Sequence, residues 1–369
     1  MKRRIAVWLH GGIGTGHFSQ GCPMLEKLLE HLSETFELVV YSQAAPHHDF
    51  NSSFFELRSA PRSIKSRYAR WAYLIRNFIR DHKEKKFQLL FALWGYPSGL
   101  LVTFLSKFVN LPSAVYILGS DAASVPAINF GILHKFILGK VAKWAYHETS
   151  LLVTLSMFQK DMLTTHGINR QMHVVPIGAD LSMFRFLLKP RHETLHIIHV
   201  GHLNAVKDQS TLLKAFALLI KEHPAELRIF GVDRLQGQIQ NLCNELNIEK
   251  YVQFHDMIPF SQMPQQYEWA DIIFHTSLSE GQGHALTEAA ACGVLLAGTK
   301  VGLIYDLGER CAITIEPGDY RDLTAKVISI MKSPEEWRNK IHLAKEWSMD
   351  HDLKWTASVL TKHLLGAKP

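Results

Sequence analysis

Two glutamates eight residues apart, Glu280 and Glu288, flank a loop in which Gly281 and Gly283 leave backbone amides bare. A short apolar run precedes this loop, and an alanine-rich helical pattern that ends at Gly293 follows it. The amides and the dipole at such a helix start attract phosphate, and the helical rise places the two carboxylates roughly 12 Å apart. The spacing therefore suits two polyol groups held on either side of a diphosphate. The alternative interpretation is that both glutamates are ordinary solvated acids.

A second glycine-bearing loop, residues 10–17, follows the first apolar run, and its four glycines allow a ligand to approach the backbone closely. A dinucleotide fingerprint would need a third glycine where His17 stands, and the second apolar run ends at Ser42 without an acid to hold a ribose. A nicotinamide cofactor is therefore not expected. An anion bound at the following helix start is one interpretation of this loop, and a flexible strand-to-helix turn is the other.

Short apolar runs alternate with helical patterns in two series along the chain. Runs that are apolar throughout are typical of parallel strands buried on both faces. The runs are 5–10, 37–41, 88–93, 113–117, 151–154 and 172–175, then, after the polar segment 187–194, 195–200, 227–230, 252–254, 272–275, 295–297 and 312–315. The sequence predicts an α/β protein of two doubly wound domains facing a cleft, with ligand-binding loops at the carboxyl ends of the strands.

Five segments, in this order, resemble the retaining glycosyltransferases of family 4 (glycosyl transferases group 1), which have the GT-B fold of two Rossmann-like domains. They are Gly11–Gly12, Leu118–Asp121 (LGSD), Val175–Asp180 (VPIGAD), Val200–Asp208 (VGHLNAVKD) and Glu280–Glu288, which matches the EX7E motif. The resemblance extends over nearly the whole chain. It implies an acceptor-binding domain over residues 1–186, a nucleotide-sugar-binding domain over 187–352, and a final helix within 353–369 that packs back on the first domain.

The resemblance also implies roles for individual residues. Glu288 would bind the ribose hydroxyls, Glu280 the donor sugar and Lys207 the diphosphate. Asp121 would orient the sugar or the acceptor, so that the catalytic residues would be Glu280, Lys207 and Asp121. The remaining donor-binding positions would be Gly12, Gly201, His202, Met257, Gly281, Gln282 and Gly283. Because a lysine and a helix start can neutralise a departing diphosphate, no metal and no other cofactor is expected.

The implied activity is transfer of a hexose, with retention, from a nucleoside-diphosphate sugar to a hydroxyl of a glycan or a lipid-linked acceptor. A UDP-sugar is the first expectation for the donor. Three positions depart from the family pattern. This chain has His202 where the family has an arginine, Leu118 where it has a histidine and Gln282 where it has a phenylalanine. Two alternatives stay open, a nucleotide-sugar epimerase on the same scaffold and a non-catalytic sugar-binding or membrane-binding relative.

The net charge of +6 is unevenly distributed, with ten Lys and Arg residues between Arg58 and Lys86. Apolar positions 64, 68, 71, 75 and 78 share one face of a predicted helix here. A basic amphipathic helix suits an anionic membrane surface, so peripheral membrane contact through residues 62–86 is one interpretation. The other is a core-facing helix with a solvated basic side. Without an aromatic platform motif, nucleic acid is not expected as a partner.

The spacing of the cysteines and the lengths of the apolar stretches indicate the cellular compartment. The four cysteines are widely spaced and form no CxxC pair, a pattern that favours reduced thiols. Because no apolar stretch approaches the ~20 residues of a membrane span, a cytoplasmic protein is expected, at most peripheral on the inner face of the membrane. Asp350 and Asp352 have the DxD form of some metal sites, but Asp352 precedes a helical pattern and is expected to cap it.

Overall fold

The computed structural model describes residues 2–11, 13–14, 22–47, 50–188 and 191–368, which form two α/β domains. The strands of the N-terminal domain are β1 (Arg3–Leu9), β2 (Phe36–Ser42), β3 (Glu56–Ser59), β4 (Leu89–Leu93), β5 (Ser113–Tyr116), β6 (Ser124–Val125), β7 (Phe130–Gly131), β8 (Leu151–Thr154) and β9 (His173–Val174). Those of the C-terminal domain are β10 (Leu195–Val200), β11 (Ala225–Phe230), β12 (Val252–His255), β13 (Ile272–His275), β14 (Leu295–Thr299) and β15 (Ala312–Ile315).

The helices occupy the connections between these strands. The first five are α1 (Pro23–Ser33), α2 (Arg67–Glu84), α3 (Leu100–Val109), α4 (Phe136–Glu148) and α5 (Met157–Thr165). The others are α6 (Gln209–Glu222), α7 (Gln238–Glu245), α8 (Met263–Trp269), α9 (His284–Cys292), α10 (Gly302–Cys311), α11 (Tyr320–Met331), α12 (Pro334–Asp350) and α13 (Leu353–Gly366). Among the described helices, none combines the length and the apolarity needed to cross a bilayer.

Both large sheets are parallel and doubly wound, which confirms the predicted fold class. Their strand orders are β3-β2-β1-β4-β5-β8-β9 and β12-β11-β10-β13-β14-β15. In each sheet the chain builds outward in one direction and then returns to the centre, so the direction reverses between β1 and β4 and between β10 and β13. Crevices at such switch points, outside the carboxyl ends of the strands, are where α/β sheets bind ligands.

Strand β3 and the β6–β7 hairpin were not predicted from the sequence. Strand β3 lies at the edge of its sheet and leaves all four residues at least partly exposed, so it carries no apolar run. The hairpin strands have two residues each, too few for any periodicity.

Helix α13 packs on the N-terminal domain. Its residues Leu353, Ala357, Leu360 and Leu364 are buried in the same cluster as residues of β1 and α1. Asp352 caps the helix by accepting a hydrogen bond of 2.7 Å from the Trp355 amide, so the DxD-like pair there is a helix start, as expected.

Helix α2 directs its apolar face into the protein. Leu74 and Phe78 are buried, and Trp71 and Ile75 pack against the same core beside Trp8. These contacts favour the core-facing interpretation of the basic amphipathic segment, since Trp71, Ile75 and Phe78 of its apolar face are covered, although Tyr68 is exposed.

Candidate functional site

The loops after β10 and β13 meet at the switch point of the C-terminal sheet. The first loop makes a short helical turn at 205–207, which Asn204 caps by accepting from the Lys207 amide at 3.2 Å. Thr276, just beyond β13, donates its hydroxyl to the carbonyls of Lys207 (3.2 Å) and Asp208 (2.9 Å). These bonds fix one loop on the other, and they position the Lys207 side chain.

Glycine at position 201 makes room for that lysine. A Cβ atom there would lie 3.2 Å from Cε of Lys207, so the aliphatic part of Lys207 lies across the bare backbone. The ammonium group reaches Glu280 and forms an ion pair with its Oε1 atom.

The carboxylate of Glu280 is surrounded by donors. Besides Lys207, Ser277 donates to its Oε1 at 2.7 Å, and Nε2 of His275 lies 3.1 Å from the same atom. Burial alone would raise the pKa of Glu280, but the Lys207 charge and the His275 contact hold that pKa well below its usual range. Glu280 is therefore ionised throughout the physiological range.

Lys207 is the fixed positive charge of this cluster. Burial lowers the pKa of His275, and it lowers that of His199 to about 3. Nδ1 of His199 lies 2.9 Å from the Phe274 carbonyl, and Gln209 contacts its other nitrogen at 3.1 Å. Both imidazoles are thus neutral near pH 7. They support the loops by hydrogen bonding and add no charge.

Helix α9 begins directly after the Glu280 loop. Gly283 is its N-cap, with φ of 83°, and contributes no side chain to the cap. A Cβ atom on Gly283 would lie 3.1 Å from Nε2 of His275, so the close approach of the loop to β13 favours glycine here. The start of this helix presents amides that an anion can bind.

Glu288 lies further along α9 and is buried. Its Oε2 atom accepts a hydrogen bond of 2.7 Å from the Tyr267 hydroxyl, and Nε2 of His284 lies 3.3 Å from Oε1. The sequence analysis assigned no role to Tyr267, His275 or Ser277. The sequence carried a signal for the last two, because His275 ends β13 and Ser277 follows it, at the carboxyl end of the strand.

A cavity of about 280 Å³ lies between the domains beside Glu280. The C-terminal domain contributes Glu280–His284, and the N-terminal domain faces it with mostly apolar residues. Among the latter are Met24, Leu25, Trp94, Leu118 and Leu155. The cavity thus has one polar wall, which carries Glu280 with its ion-pair partner Lys207 behind it, and one apolar wall.

Comparison with known proteins agrees with this architecture. Residues 184–347, which include both site loops and α9, match the family of glycosyl transferases group 1. The chain is similar to this family over that part of its length. Its fold is GT-B, as in the solved structures that superpose on it.

One relative and two structures illustrate the similarity. The MMP alpha-(1->4)-mannosyltransferase of Mycolicibacterium hassiacum is 29% identical over 196 residues, which are 51% of this chain and 46% of the relative. Sucrose-phosphate synthase from Thermosynechococcus elongatus superposes with a TM-score of 0.81 at 17% identity over 100% of both chains. HepE of Anabaena, in complex with UDP-glucose, superposes with a TM-score of 0.75 at 16% identity over 99% of this chain and 100% of its own. The chain spans about half the length of the curated relatives that it matches.

The side chain of Gln282 is hydrogen-bonded to protein groups. Its amide bonds to the Ile177 backbone, and it donates to the Thr287 hydroxyl at 2.8 Å. Next to it, Ser156 donates to the Gly281 carbonyl. The loop after Glu280 is therefore anchored on the N-terminal domain. That Gln282 is a donor-binding position stays a prediction.

Asp121 is buried and hydrogen-bonded to the backbone. It is 4% exposed, and its carboxyl accepts hydrogen bonds from the Gly95 and Gly119 amides. Because these bonds occupy both carboxyl oxygens, Asp121 positions Gly119, which lines the cavity together with Leu118. The role that the resemblance implies for Asp121, orienting the sugar or the acceptor, stays a prediction.

His202 stands at the end of the Gly201 turn. Its Nδ1 accepts from the Val232 amide at 3.3 Å, and burial, with the charges of Arg234 and Lys207, lowers its pKa. A neutral ring with the proton on Nε2 is a hydrogen-bond donor, not the second fixed charge of the family pattern.

Two predicted donor positions remain. Met257 is half-buried two residues after β12, at the carboxyl edge of the same sheet. Gly12 lies outside the described residues.

A candidate cation group was not anticipated by the sequence analysis. His192, His196 and Asp271 place their ligand atoms within 4.8 Å of one another, at the opposite edge of the C-terminal sheet from Glu280. Asp271 accepts from the backbone amides of both histidines, at 3.3 and 2.9 Å. These hydrogen bonds give the group a structural role, because they attach the segment between the domains to the C-terminal sheet.

Proposed function

We propose that this protein is a retaining glycosyltransferase that moves a hexose from a nucleoside-diphosphate sugar to an acceptor hydroxyl, without a metal ion. The observation that carries the proposal is the Lys207–Glu280 ion pair beside the uncapped start of α9. A cation and a helix N-terminus that converge on one point are suited to a diphosphate leaving group.

The donor would lie along α9. Its diphosphate would contact Lys207 and the amides of 281–283, and Glu288 would accept from the ribose. The three contacts to Glu280 described above all end on Oε1, which leaves Oε2 for a sugar hydroxyl. A uridine base is favoured by the fold similarity to HepE in its complex with UDP-glucose, and it would lie near Met257.

The acceptor, a glycan or a lipid-linked molecule, would enter the cavity from the N-terminal side. Its hydroxyl would then approach the anomeric carbon from the apolar wall that Leu118 and Trp94 help to form. An apolar wall excludes water, which would otherwise hydrolyse the donor. We place the protein in the cytoplasm, where nucleotide sugars would be available.

The test is a panel of nucleotide sugars, first for binding by thermal shift and then for transfer. A donor at ~100 times its Kd adds about 2.7 kcal/mol to the folded state, which is readily seen. Transfer predicts a new glycosidic bond with the anomeric configuration of the donor, read by NMR. An epimerised donor formed without acceptor would favour the epimerase, and binding without turnover would favour the non-catalytic relative.

Glu280→Ala should abolish turnover, and Glu245→Ala is the matched control. Glu245 is an exposed acid at the end of α7 in the same domain. If both variants turn over donor at the wild-type rate, Glu280 is not part of the reaction and the proposal fails.

A further inference from the structure

Tyr267 of α8 is a buried tyrosine whose hydroxyl group meets a buried carboxylate. It is 0% exposed, and its hydroxyl donates to Oε2 of Glu288 at 2.7 Å. Glu288, on the neighbouring α9, is itself only 4% exposed. Burial and the charge of Glu288 raise the pKa of Tyr267 well above its ordinary value. The hydroxyl group therefore keeps its proton and is a hydrogen-bond donor throughout the physiological pH range.

The ring of Tyr267 is held in place by other buried side chains. The Phe184 ring lies against it, with the ring centroids 6.0 Å apart and the planes at 65°. Phe184 contacts the ring of Phe260 at 5.4 Å between centroids, and Phe260 lines the interdomain cavity. Leu286 and Ala289 of α9 are buried in the same cluster. Because close-packed interiors resist movement of their side chains, the Tyr267 hydroxyl has a fixed direction.

Few other groups hold the carboxylate of Glu288. In the part of the chain that the structure describes, no lysine or arginine forms an ion pair with it. Nε2 of His284 lies 3.3 Å from Oε1 but makes no aligned hydrogen bond. Since a buried charge needs hydrogen-bond donors, the bond from Tyr267 determines how the carboxylate is oriented. That bond occupies Oε2, and Oε1 remains for a ligand.

We propose that Tyr267 is a positioning residue that makes the donor site select ribose over deoxyribose. The inference rests on the proposed function, in which Glu288 accepts hydrogen bonds from the ribose hydroxyls. A carboxylate that is already oriented accepts a hydroxyl group without an ordering cost, and it stays unpaired when the hydroxyl is missing. The site would therefore bind a nucleoside diphosphate more tightly than the analogue that lacks the ribose hydroxyls.

A tyrosine can also be buried for packing alone, with its hydroxyl group bonded to the nearest acceptor. The two roles differ in what they change. A packing role affects every ligand of the site equally, whereas a positioning role changes the preference between a ribose and its deoxy analogue. Tyr267→Phe separates the two, because it keeps the ring and removes only the hydroxyl group.

The experiment is titration calorimetry of the full chain with UDP, GDP and ADP, each compared with its dideoxyribose counterpart. We expect the wild type to prefer the ribonucleotide that binds best by about 30-fold or more. Tyr267→Phe should reduce this preference about tenfold, the factor of a hydrogen bond to a charged group, and should leave dideoxynucleotide binding within about twofold. Tyr251→Phe is the matched control, a partly exposed tyrosine in the same domain, and should keep the wild-type preference.

A second variant tests whether Tyr267 acts through Glu288. Glu288→Gln should also reduce the ribose preference, and adding Tyr267→Phe to it should reduce the preference no further, because two residues that act as a unit are not additive. Urea unfolding verifies that each variant is folded.

The inference is overturned if Tyr267→Phe weakens ribonucleotides and dideoxynucleotides equally, if it keeps the wild-type preference, or if the losses of the two variants add. In each of these cases the wild type still binds a nucleoside diphosphate, so the proposed transfer reaction is unaffected. A wild type that binds none of the three nucleotides would overturn the proposed function together with this inference.

Discussion

The side-chain amide of Gln282 is joined to the backbone of Ile177 by two hydrogen bonds: its Oε1 accepts from the Ile177 amide at 2.9 Å, and its Nε2 donates to the Ile177 carbonyl at 2.8 Å. Ile177 is buried in the N-terminal core. The loop that carries Glu280 is thus held by the opposite domain. Anything that separates the domains must release this loop.

Gln282→Leu should lower the free energy of unfolding by about 2–6 kcal/mol. The leucine would leave both backbone groups of Ile177 buried without partners, and each such group costs about 1–3 kcal/mol. Urea unfolding followed by tryptophan fluorescence measures the change. Gln238→Leu, at an exposed position on α7, is the control and should stay within about 0.5 kcal/mol of the wild type. Equal losses in the two variants would contradict the bridging role.

Lys207→Met should weaken nucleoside-diphosphate binding and reduce turnover by about 10²- to 10³-fold, the range found when one preorganised donor to a transition state is removed. Methionine keeps the apolar stem across Gly201 but leaves Glu280 without its cation. Titration calorimetry with UDP and a turnover assay measure the two effects. Lys214→Met, an exposed lysine on α6, should change neither, and a Lys207→Met protein that binds UDP normally would remove the lysine from the site.

The sequence could predict the fold for a physical reason, whereas the roles of Lys207 and Glu280 were implied by the family resemblance. Strands buried on both faces must be apolar throughout, so they are visible without an alignment, and a doubly wound order brings the loops after β10 and β13 together. Lys207 and Glu280, which are 73 positions apart in the chain, therefore meet at one switch point.

Side-chain directions could not be predicted in the same way. Gln282 and Asp121 each find their partners on backbone amides, and those of Gln282 lie 105 residues away in the chain. Local pattern carries no information about such contacts. The amphipathic pattern of α2 likewise does not say what covers its apolar face, and here Trp8 and the sheet do.

The pKa of Asp121 predicts a pH dependence of stability. Burial raises this pKa to about 6, although amides of Gly95 and Gly119 act in the opposite direction, and an unfolded aspartate titrates near ~3.9. Between these values the folded state binds more protons than the unfolded state, so this group's contribution to stability falls as the pH rises from about 4 to about 6. Over this pH range the contribution of Asp121 to the free energy of unfolding falls by about 3 kcal/mol in total.

Asp121→Asn removes that titration, so the variant should gain stability relative to the wild type as the pH rises through this window. Urea unfolding at a series of pH values measures the difference between the two proteins, in which contributions of other groups cancel. Asp256→Asn, at an exposed position, serves as the control. A wild-type-minus-variant difference that does not change with pH would show that Asp121 is ionised in both states.

Leu360→Ala should lower the free energy of unfolding by about 2–5 kcal/mol, the usual cost of removing a fully buried leucine side chain. Leu360 is 0% exposed on the face of α13 that packs with the N-terminal core. Leu365, five residues further along the same helix, is 50% exposed. Leu365→Ala makes the same leucine-to-alanine change in the same helix and should cost less than about 0.5 kcal/mol. Thermal and urea unfolding of both variants measure the difference. If the two leucines cost the same, α13 does not pack on the first domain in solution, and the C-terminal segment cannot couple the two halves of the cleft.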